Sequence, residues 1–426
     1  MSVNIAKVRM WDRTIAGVSV DPASGRIDFA YDRAFARSEI QVAPLKMPLG
    51  QDIYTFPELN PKTFKGLPGM LADSLPDMFG NALIDAWLAQ QGRSADSVNA
   101  VERLCFMGSR GMGALEYEPA KSEIAHGDGT LEVDTLSRLA SEMMREREAF
   151  SARLRRGGKD DEAFRQLLSV GTSAGGARSK AIVAWSRSKD EFRSGQIALP
   201  KGFEPWIIKL DGDGDAKGYG RIEHAYHRMA VAAGITMSEC RLHLEGGRAH
   251  FMTRRFDRTA VGEKLHMQTL GALAHLDFNV PRTHGYEQAF DVVRALGLGA
   301  DTAAELFRRM VFNVVARNQD DHVKNISFLM DKSGAWSLSP AYDVTFNQGS
   351  GHTSSHQMTI NMKSDGFGLS DFKACAKVAG LKRGQAEDIL EQVTAAVRKW
   401  PEFAEADDVT PAKAKRIQQS HRLLIG

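Results

Sequence analysis

Two polar residues, Asp320 and Asn325, stand five positions apart in the stretch RNQDDHVKNISFLMDKSGAWSLSPAYDV, residues 317 to 344. The catalytic loop of kinases has this spacing: the aspartate accepts the proton of the substrate hydroxyl and the asparagine holds a magnesium ion. The pattern therefore favours phosphoryl transfer at this loop. The structural alternative is an acidic loop that caps the preceding helical segment LFRRMVFNVVARN.

A second magnesium ligand follows from the segment after Asn325. ISFLM and AWSL flank the turn DKSG, which predicts a hairpin that carries Asp343 back toward Asn325. The predicted turn places Asn325 opposite Pro340, so Asp343 lies within roughly 10 Å at strand rise. A bend at Ser339-Pro340 would close that gap. One carboxylate and one amide oxygen form the minimal ligand set that Mg²⁺ accepts alongside substrate phosphates.

A lysine that could neutralise phosphates ends the apolar segment PWIIKL. This residue is Lys209, and it follows a glycine-rich segment and a strand, in the order found in the small lobe of kinases. Glu223 opens the amphipathic segment RIEHAYHRMAVAAG, where a kinase helix glutamate would orient the lysine. The alternative for Glu223 is an ordinary surface position.

The glycine-rich segment is TSAGGARSK, residues 172 to 180. Gly175 and Gly176 would let main-chain N–H groups approach a phosphate, and Ser173 and neighbouring hydroxyls could donate further hydrogen bonds. The segment matches neither GxGxxG nor GxxxxGK[ST], so taken by itself it favours a turn before a strand. The downstream residues favour a phosphate-binding loop.

The elements that must position these residues form three blocks. Short strands alternate with turns up to about residue 117, strands dominate from 180 to 256, and helical spacing begins near 264 with MQTLGALAHL. We therefore predict an α+β, two-lobed protein-kinase-like fold: a mixed α/β amino-terminal subdomain over 1–120, a β-rich small lobe with the glycine loop and hinge over 121–258, and a helical large lobe with the catalytic loop over 259–426.

Composition limits the remaining function classes. The 426 residues carry 55 basic and 53 acidic side chains, so a net charge of +2 produces no overall field toward nucleic acid or a membrane surface. Residues 1–11 contain charges and no continuous apolar run, which predicts a cytoplasmic protein without a membrane segment. The three cysteines, an odd number far apart in the chain, fit reduced buried thiols.

A histidine pair, His352 and His356, lies in the segment GSGHTSSHQM. Because a Gly/Ser-rich loop lacks the helix that would place both rings on one face, a metal site is not expected there. We interpret this segment as a mobile surface loop on the substrate side.

Several of these motifs together resemble a known family. TSAGGARSK, WIIKL, RRFDR and DDHVKN followed by SPAYDV, with amino-terminal FAYD, GLPGMLADSLPD and QQG, are similar to the HipA-type toxin kinases of bacterial toxin–antitoxin modules. The likeness spans nearly the whole chain. It implies a serine/threonine protein kinase that uses ATP and magnesium, with Asp320 as catalytic base, Asn325 and Asp343 as magnesium ligands, Lys209 as the phosphate-binding lysine and His322 shaping the loop.

The resemblance also implies a nucleotide hinge and a regulatory loop. TRRFDR matches the family's interlobe hinge, so the main chain near Arg254 and Phe256 is expected to pair with adenine, and Asp257 to reach the ribose. In the family the glycine loop covers the nucleotide and carries a serine whose autophosphorylation ejects the loop and inactivates the kinase. Ser173 falls at that position, and the neighbouring nucleotide-binding residues are Ala174, Gly175, Gly176 and Ala177.

The resemblance leaves the target open. The best-known substrate in the family is a glutamyl-tRNA synthetase, and toxins of this family usually pair with a helix-turn-helix antitoxin through which DNA is bound. Two alternatives remain: a non-catalytic nucleotide-binding co-repressor acting with an antitoxin on DNA, and a small-molecule phosphotransferase, because antibiotic and sugar kinases share the Asp and Asn spacing.

Overall fold

The computed structural model describes residues 3–120, 130–146, 150, 161–171, 178–195, 199–212, 218–259 and 261–425. The predicted α+β architecture, with an amino-terminal subdomain and two further lobes, is confirmed. The buried apolar side chains form three clusters, one centred in each of these parts.

The amino-terminal subdomain is a five-stranded antiparallel sheet covered by helices. The strand order is β4-β3-β2-β1-β5. In β1 the burial alternates, so Ala6, Val8 and Met10 face the core while the residues between them are more exposed. The elements are β1 (Ile5–Met10), β2 (Arg13–Val20), β3 (Ile27–Tyr31), β4 (Ile53–Tyr54), α1 (Pro61–Phe64), α2 (Gly69–Ala72), α3 (Met78–Gln90), α4 (Ala100–Met107) and β5 (Leu115–Glu118).

The small lobe is a second antiparallel sheet, in the order β7-β6-β8-β10-β9. Its elements are α5 (Val133–Arg145), α6 (Asp161–Gly171), β6 (Lys180–Ser186), β7 (Glu191–Ser194), β8 (Glu204–Lys209), α7 (Tyr219–Ala232), β9 (Cys240–Glu245) and β10 (Arg248–Arg254). Helix α3 of the amino-terminal subdomain packs into the apolar core of this sheet through Phe79 and Leu83. The two parts are therefore joined by a shared core.

The large lobe is mainly helical. After β11 (His266–Thr269) come α8 (Leu270–Ala274), β12 (His284–Gly285), α9 (Tyr286–Ala295) and α10 (Ala300–Val315). The remaining elements are β13 (Ser327–Met330), β14 (Trp336–Leu338), β15 (Met358–Thr359), α11 (Leu369–Ala379), α12 (Gln385–Arg398), α13 (Trp400–Ala406) and α14 (Pro411–Ser420). Two small sheets, β11-β13-β14 and β12-β15, flank the catalytic segment.

One expectation about the large lobe is wrong. MQTLGALAHL does not form one helix: Met267, Gln268 and Thr269 belong to β11, which pairs with β13. The helix begins only after Thr269, whose side chain accepts a hydrogen bond from the Ala272 N–H as an N-cap. In a short segment, apolar spacing alone does not distinguish a helix from a strand. Here residues 266–269 form a strand because they pair with β13, about sixty residues further along the chain.

The family-like motifs of the amino-terminal subdomain dock onto the large lobe. In GLPG, a Cβ on Gly69 would lie 2.3 Å from the carbonyl oxygen of Ala272, so only glycine permits the observed approach of α2 to α8. In DSLPD, the Asp73 carboxylate accepts hydrogen bonds from the N–H and the hydroxyl of Thr269, at 2.7 and 3.0 Å. These two motifs therefore fix the subdomain against the lobe that carries the catalytic loop.

One further expectation concerns the burial of the three cysteines. Cys105, Cys240 and Cys375 are buried free thiols, as predicted. Among the described residues, no helix is both long enough and apolar enough to cross a bilayer.

Candidate active site

Asp320 lies in the loop that follows helix α10. The apolar face of this helix lies in the large-lobe core, and the chain leaves the helix at Ala316, so the following residues form a short irregular loop. The Asn325 N–H donates to the His322 carbonyl at 2.8 Å, and the Asn325 side-chain amide donates to the Asp320 carbonyl at 2.8 Å. These two bonds close the loop, so Asp320 and Asn325 lie together as the spacing predicts. The His322 ring is half-buried and lies 5.9 Å from the ring of Phe278.

The predicted hairpin after Asn325 is present, with its register shifted by one residue. Phe328 pairs with Leu338 and Met330 with Trp336, so Asn325 projects opposite Ala341 and not opposite Pro340. The loop is one residue longer than predicted because Gly334, at φ 88°, adds a left-handed position that is common in longer hairpin loops.

The chain leaves the hairpin before Asp343 instead of extending it. Ala341 N–H donates to the Thr236 carbonyl at 2.9 Å, and the Tyr342 hydroxyl donates to the Lys324 carbonyl in the catalytic loop at 2.5 Å. Asp343 itself adopts a left-handed backbone, φ 51°, which is uncommon outside glycine and is tolerated best by Asn and Asp. This departure turns the Asp343 carboxylate toward the small lobe.

Lys209, at the end of β8, joins the two lobes. Its ammonium group contacts Glu223 of α7 and lies 2.5 Å from Asp343 Oδ1. Glu223 is buried, so the predicted Lys209–Glu223 pair is confirmed and a surface position is excluded. Although α7 follows the small-lobe strands, Ile222, Tyr226 and others on its apolar face belong to the large-lobe core. The glutamate is thereby held in place by packing on the large lobe.

The charged groups at this junction shift one another's pKa values. Burial alone raises the pKa of the Asp343 carboxyl, but the nearby Lys209 and Lys180 charges outweigh it and hold the pKa well below its ordinary range. Burial lowers the pKa of Lys209, but Asp343 and Glu223 outweigh this and leave the pKa above its ordinary value. Both groups are therefore charged at neutral pH.

Asp320 is in a different environment. Burial raises the pKa of the Asp320 carboxyl, His322 opposes the increase, and the negative charge of Asp343 adds to it. The two carboxylates are thus close enough to disfavour each other's charge, which is the electrostatic setting that a cation between them would relieve. A raised pKa also makes a carboxylate a better proton acceptor.

The oxygen donors at the site fit magnesium bound together with nucleotide phosphates. Among the described residues, the side-chain oxygen of Asn325 and Oδ2 of Asp343 accept no hydrogen bond, so both are available as hard oxygen ligands. No group of three or more His, Cys, Asp or Glu side chains in the described part of the chain is arranged to hold a metal by itself. Phosphate oxygens would have to complete the coordination.

The hinge between the lobes follows β10. The Arg254 N–H donates to the Glu239 carbonyl and the Arg255 N–H to the Pro205 carbonyl, both at 2.9 Å. These two donors are therefore not free for an adenine ring, which leaves the main chain at Phe256 as the candidate contact from this segment. The Phe256 ring lies 5.6 Å from that of Tyr342, next to the catalytic loop.

The structure contradicts the expected ribose contact of Asp257. The residue has no exposed surface. Its carboxylate accepts hydrogen bonds from Arg255 at 2.7 and 2.9 Å, from Arg258 at 2.8 Å and from the Gly113 N–H at 2.7 Å. Burial raises its pKa, but the two guanidinium groups outweigh this and hold the pKa far below the ordinary value. Asp257 therefore joins the hinge to the amino-terminal subdomain.

We expect Asp257→Asn to destabilise the protein by about 3 to 5 kcal/mol, because it leaves the buried Arg255 charge, and the nearly buried Arg258 charge, without the carboxylate that contacts both. Thermal unfolding measures the effect. The control is Asp28→Asn, which removes the partner of Arg26 in an ion pair exposed to solvent, and should change stability by no more than about 1 kcal/mol. Similar melting temperatures for both variants would show that the Asp257 cluster is not a major structural contact.

The glycine-rich segment falls outside the part of the chain that the structure describes. Thr172 and the predicted autophosphorylation and nucleotide residues Ser173, Ala174, Gly175, Gly176 and Ala177 lie outside the described residues. The residues before the loop are described: a Cβ on Gly171 would meet Leu83 and Phe79 of α3 at 2.7 and 2.9 Å. The loop therefore begins at a tight contact with the amino-terminal subdomain.

Two residues near Asp320 were missed by the sequence analysis. His356 and Gln357 lie in the segment interpreted as a mobile surface loop, yet both are buried. His356 Nδ1 lies 2.9 Å from Asp321 Oδ2, and the Gln357 side-chain amide donates to Asp320 Oδ1. The Gly/Ser content of the segment concealed them. The available signal was the apolar alternation of HQMTI, which contains the short strand β15.

Comparisons with known proteins agree with this architecture. Residues 172–400 match the family model described as HipA-like C-terminal domain, and residues 6–118 match the HipA N-terminal domain. A solved structure, the Shewanella oneidensis HipA, HipB and operator DNA complex, aligns with a TM-score of 0.67 at 16% identity, covering 97% of this chain and 95% of that one.

Two relatives from Sinorhizobium fredii carry kinase names. "Putative kinase Y4mE" is 23% identical over 360 residues, which cover 81% of this chain and 77% of the relative. "Putative kinase Y4dM" is 29% identical over 178 residues, which cover 38% of this chain and 42% of the relative. The matched segment thus spans less than half the length of Y4dM.

The Lys209–Glu223 pair meets the loop of Asp320 and Asn325 at the junction of the two lobes. This arrangement, together with the fold, defines a kinase-like α+β architecture. The chain belongs to the HipA family, because the two family models together match most of its length.

Proposed function

We propose that the protein is an ATP- and magnesium-dependent serine/threonine protein kinase of a toxin–antitoxin system. The observation that carries the proposal is the contact of Lys209 with both Glu223 and Asp343, beside the loop that holds Asp320 and Asn325. In this arrangement the Lys209 ammonium group of the small lobe lies beside a candidate base and two candidate oxygen ligands of the large lobe.

Each side chain has a separate task in the proposed reaction. Lys209, oriented by Glu223, binds nucleotide phosphates, and Asp320 accepts the proton of the substrate hydroxyl as it attacks the terminal phosphate. Asn325 and Asp343 hold magnesium, which when bound neutralises charge on the phosphate oxygens. The main chain at Phe256 contacts the adenine, and His322 supports the loop through its carbonyl.

Family membership supports a proposal for the substrate and the partners. We propose a protein substrate, of which an aminoacyl-tRNA synthetase such as glutamyl-tRNA synthetase is the first candidate. The solved neighbour is a complex with HipB and operator DNA, which supports an antitoxin partner through which DNA is bound. The protein is proposed to act in the cytoplasm.

The experiment that tests the function is incubation with γ-labelled ATP, magnesium and a cell extract. A protein kinase transfers the label to extract protein, a small-molecule phosphotransferase labels only the low-molecular-weight fraction, and a non-catalytic co-repressor binds ATP without transfer. Label in protein that disappears when magnesium is chelated is the expected result. Transfer to small molecules alone would contradict the proposal.

Regulation is proposed to act through Ser173. A phosphate there adds about −1.5 to −2 charge to a loop that would lie against the phosphates of ATP, so repulsion should expel the loop. We expect phosphorylated protein and Ser173→Asp to bind ATP weakly, and Ser173→Ala to keep binding it. Mass spectrometry after incubation with Mg-ATP decides: unmodified Ser173 in a preparation that phosphorylates another protein would rule out this switch.

A further inference from the structure

The side chain of Gln357 contacts the proposed catalytic base directly. It is 5% exposed, and its amide nitrogen donates to Asp320 Oδ1. Among the described residues, Asp320 Oδ2 accepts no hydrogen bond. One carboxylate oxygen is thus occupied by a neutral donor, and the other is left to accept a proton.

The main chain of Gln357 is anchored on both sides. Its N–H donates to Asp321 Oδ1 at 2.8 Å, and its carbonyl accepts from the Arg282 N–H at 2.7 Å. The next residue, Met358, pairs with His284 in the parallel sheet β12-β15. Because the backbone is held by bonds before and after the side chain, the amide has little freedom to move away from Asp320.

A network of buried polar side chains holds the same segment against the large lobe. Asp321 Oδ2 lies 2.9 Å from His356 Nδ1 and accepts from the Tyr286 hydroxyl at 3.0 Å. Asn313 donates to that hydroxyl at 3.0 Å. Both oxygens of Asp321 are therefore used to hold residues 356 and 357, while the adjacent Asp320 receives the Gln357 amide. Consecutive aspartates thus have different tasks.

We propose that Gln357 is a positioning residue that fixes the carboxylate of Asp320, with Asp321 and His356 as its anchor. The inference deepens the proposed phosphotransfer function and rests on it. A carboxylate without this donor can rotate, and proton transfer needs the acceptor oxygen within hydrogen-bond distance of the substrate hydroxyl. A donor on Oδ1 reduces that rotation, so Oδ2 remains the acceptor. The amide does not take part in the proton transfer.

The test compares two substitutions of similar length. Gln357→Met removes the donor and keeps the apolar stem, and Gln357→Glu replaces the donor with a second negative charge beside Asp320. Initial rates of label transfer from γ-labelled ATP into a fixed amount of extract protein give an apparent kcat and a KM for ATP. Calorimetry gives the Kd of Mg-ATP, and thermal unfolding identifies variants that do not fold.

We expect Gln357→Met to lower kcat by about 10- to 100-fold with the KM for ATP within about threefold of wild type. Gln357→Glu should lower kcat further, because like charges repel. The matched control is Gln392→Met, which removes an exposed amide of α12 bound to Arg308 and should leave both parameters unchanged. In the Asp320→Asn background, Gln357→Met should have no additional effect on kcat.

The outcomes separate the positioning role of Gln357 from the proposed phosphotransfer function on which it rests. A folded Gln357→Met enzyme with a wild-type kcat would overturn the positioning role, as would a loss that appears equally in kcat, KM and melting temperature. If Gln357→Met does not fold, Gln357→Glu with a wild-type kcat has the same meaning. Failure of the wild-type protein to transfer any label would overturn the proposed function, and this inference with it.

Discussion

Asp320→Asn is expected to lower phosphoryl transfer by about 10²- to 10⁴-fold while Mg-ATP remains bound, because it removes the proposed proton acceptor. The substitution keeps size and shape, so the Gln357 contact is the local interaction most affected. Lys209, Glu223 and Asp343 retain their mutual contacts. Transfer of label to extract protein measures activity, and calorimetry measures the affinity for Mg-ATP.

A matched control separates the chemical step from a general effect of removing a charge. Asp388→Asn changes an exposed aspartate in the first turn of α12, far in sequence from the site, and should leave transfer within about twofold of wild type. If Asp320→Asn keeps more than about a tenth of the wild-type rate, Asp320 is not the base. If it loses Mg-ATP binding as well, the residue acts in nucleotide binding instead.

Asp343→Ala is expected to weaken binding of Mg-ATP by about 10²-fold, since it removes one of the two protein oxygen ligands proposed for the metal. Binding of ATP without metal should not weaken. The reason is electrostatic: Asp343 holds a negative charge beside Lys209 and Lys180, and its removal leaves more positive charge for the phosphates. Calorimetry with magnesium and with a chelator measures both affinities.

The contrast between the two conditions provides the test of Asp343. Glu223 continues to contact Lys209 in the variant, so the lysine keeps one partner and the small lobe keeps its link to α7. Asp331→Ala, which alters a solvent-facing aspartate in the hairpin turn, is the control and should affect neither affinity strongly. Equal losses with and without magnesium would show that Asp343 supports the fold and does not bind metal.

Local patterns were sufficient for much of the candidate site. The spacing of Asp320 and Asn325 matched that of a kinase catalytic loop, and a hydrogen bond from the Asn325 side chain to the Asp320 carbonyl holds the two residues in one loop. The order of strand, lysine and helix predicted the Lys209–Glu223 pair. Such features depend on residues close in sequence or on the order of elements, and both can be read from the chain.

Contacts between distant segments account for the failures. Asp257 looked like a ribose ligand because the hinge motif was known and the burial was not; its partner Gly113 lies 144 positions earlier. His356 and Gln357 looked like parts of a surface loop, yet they reach the catalytic loop 35 to 37 positions before them. Local composition carries no information about which distant segment covers a loop.

The sequence by itself determined the class of fold, the family motifs, the order of strand, lysine and helix around Lys209, and the residue types that could transfer a phosphate. It could do so because periodicity, turn residues and motif spacing are local properties of the chain. Only the tertiary structure decided that α7 packs on the large lobe, that Asp257 is an internal counter-ion and that Gln357 binds Asp320. These features depend on which surfaces meet when the lobes pack, because burial and the pairing of charges arise only from contacts between segments far apart in the chain.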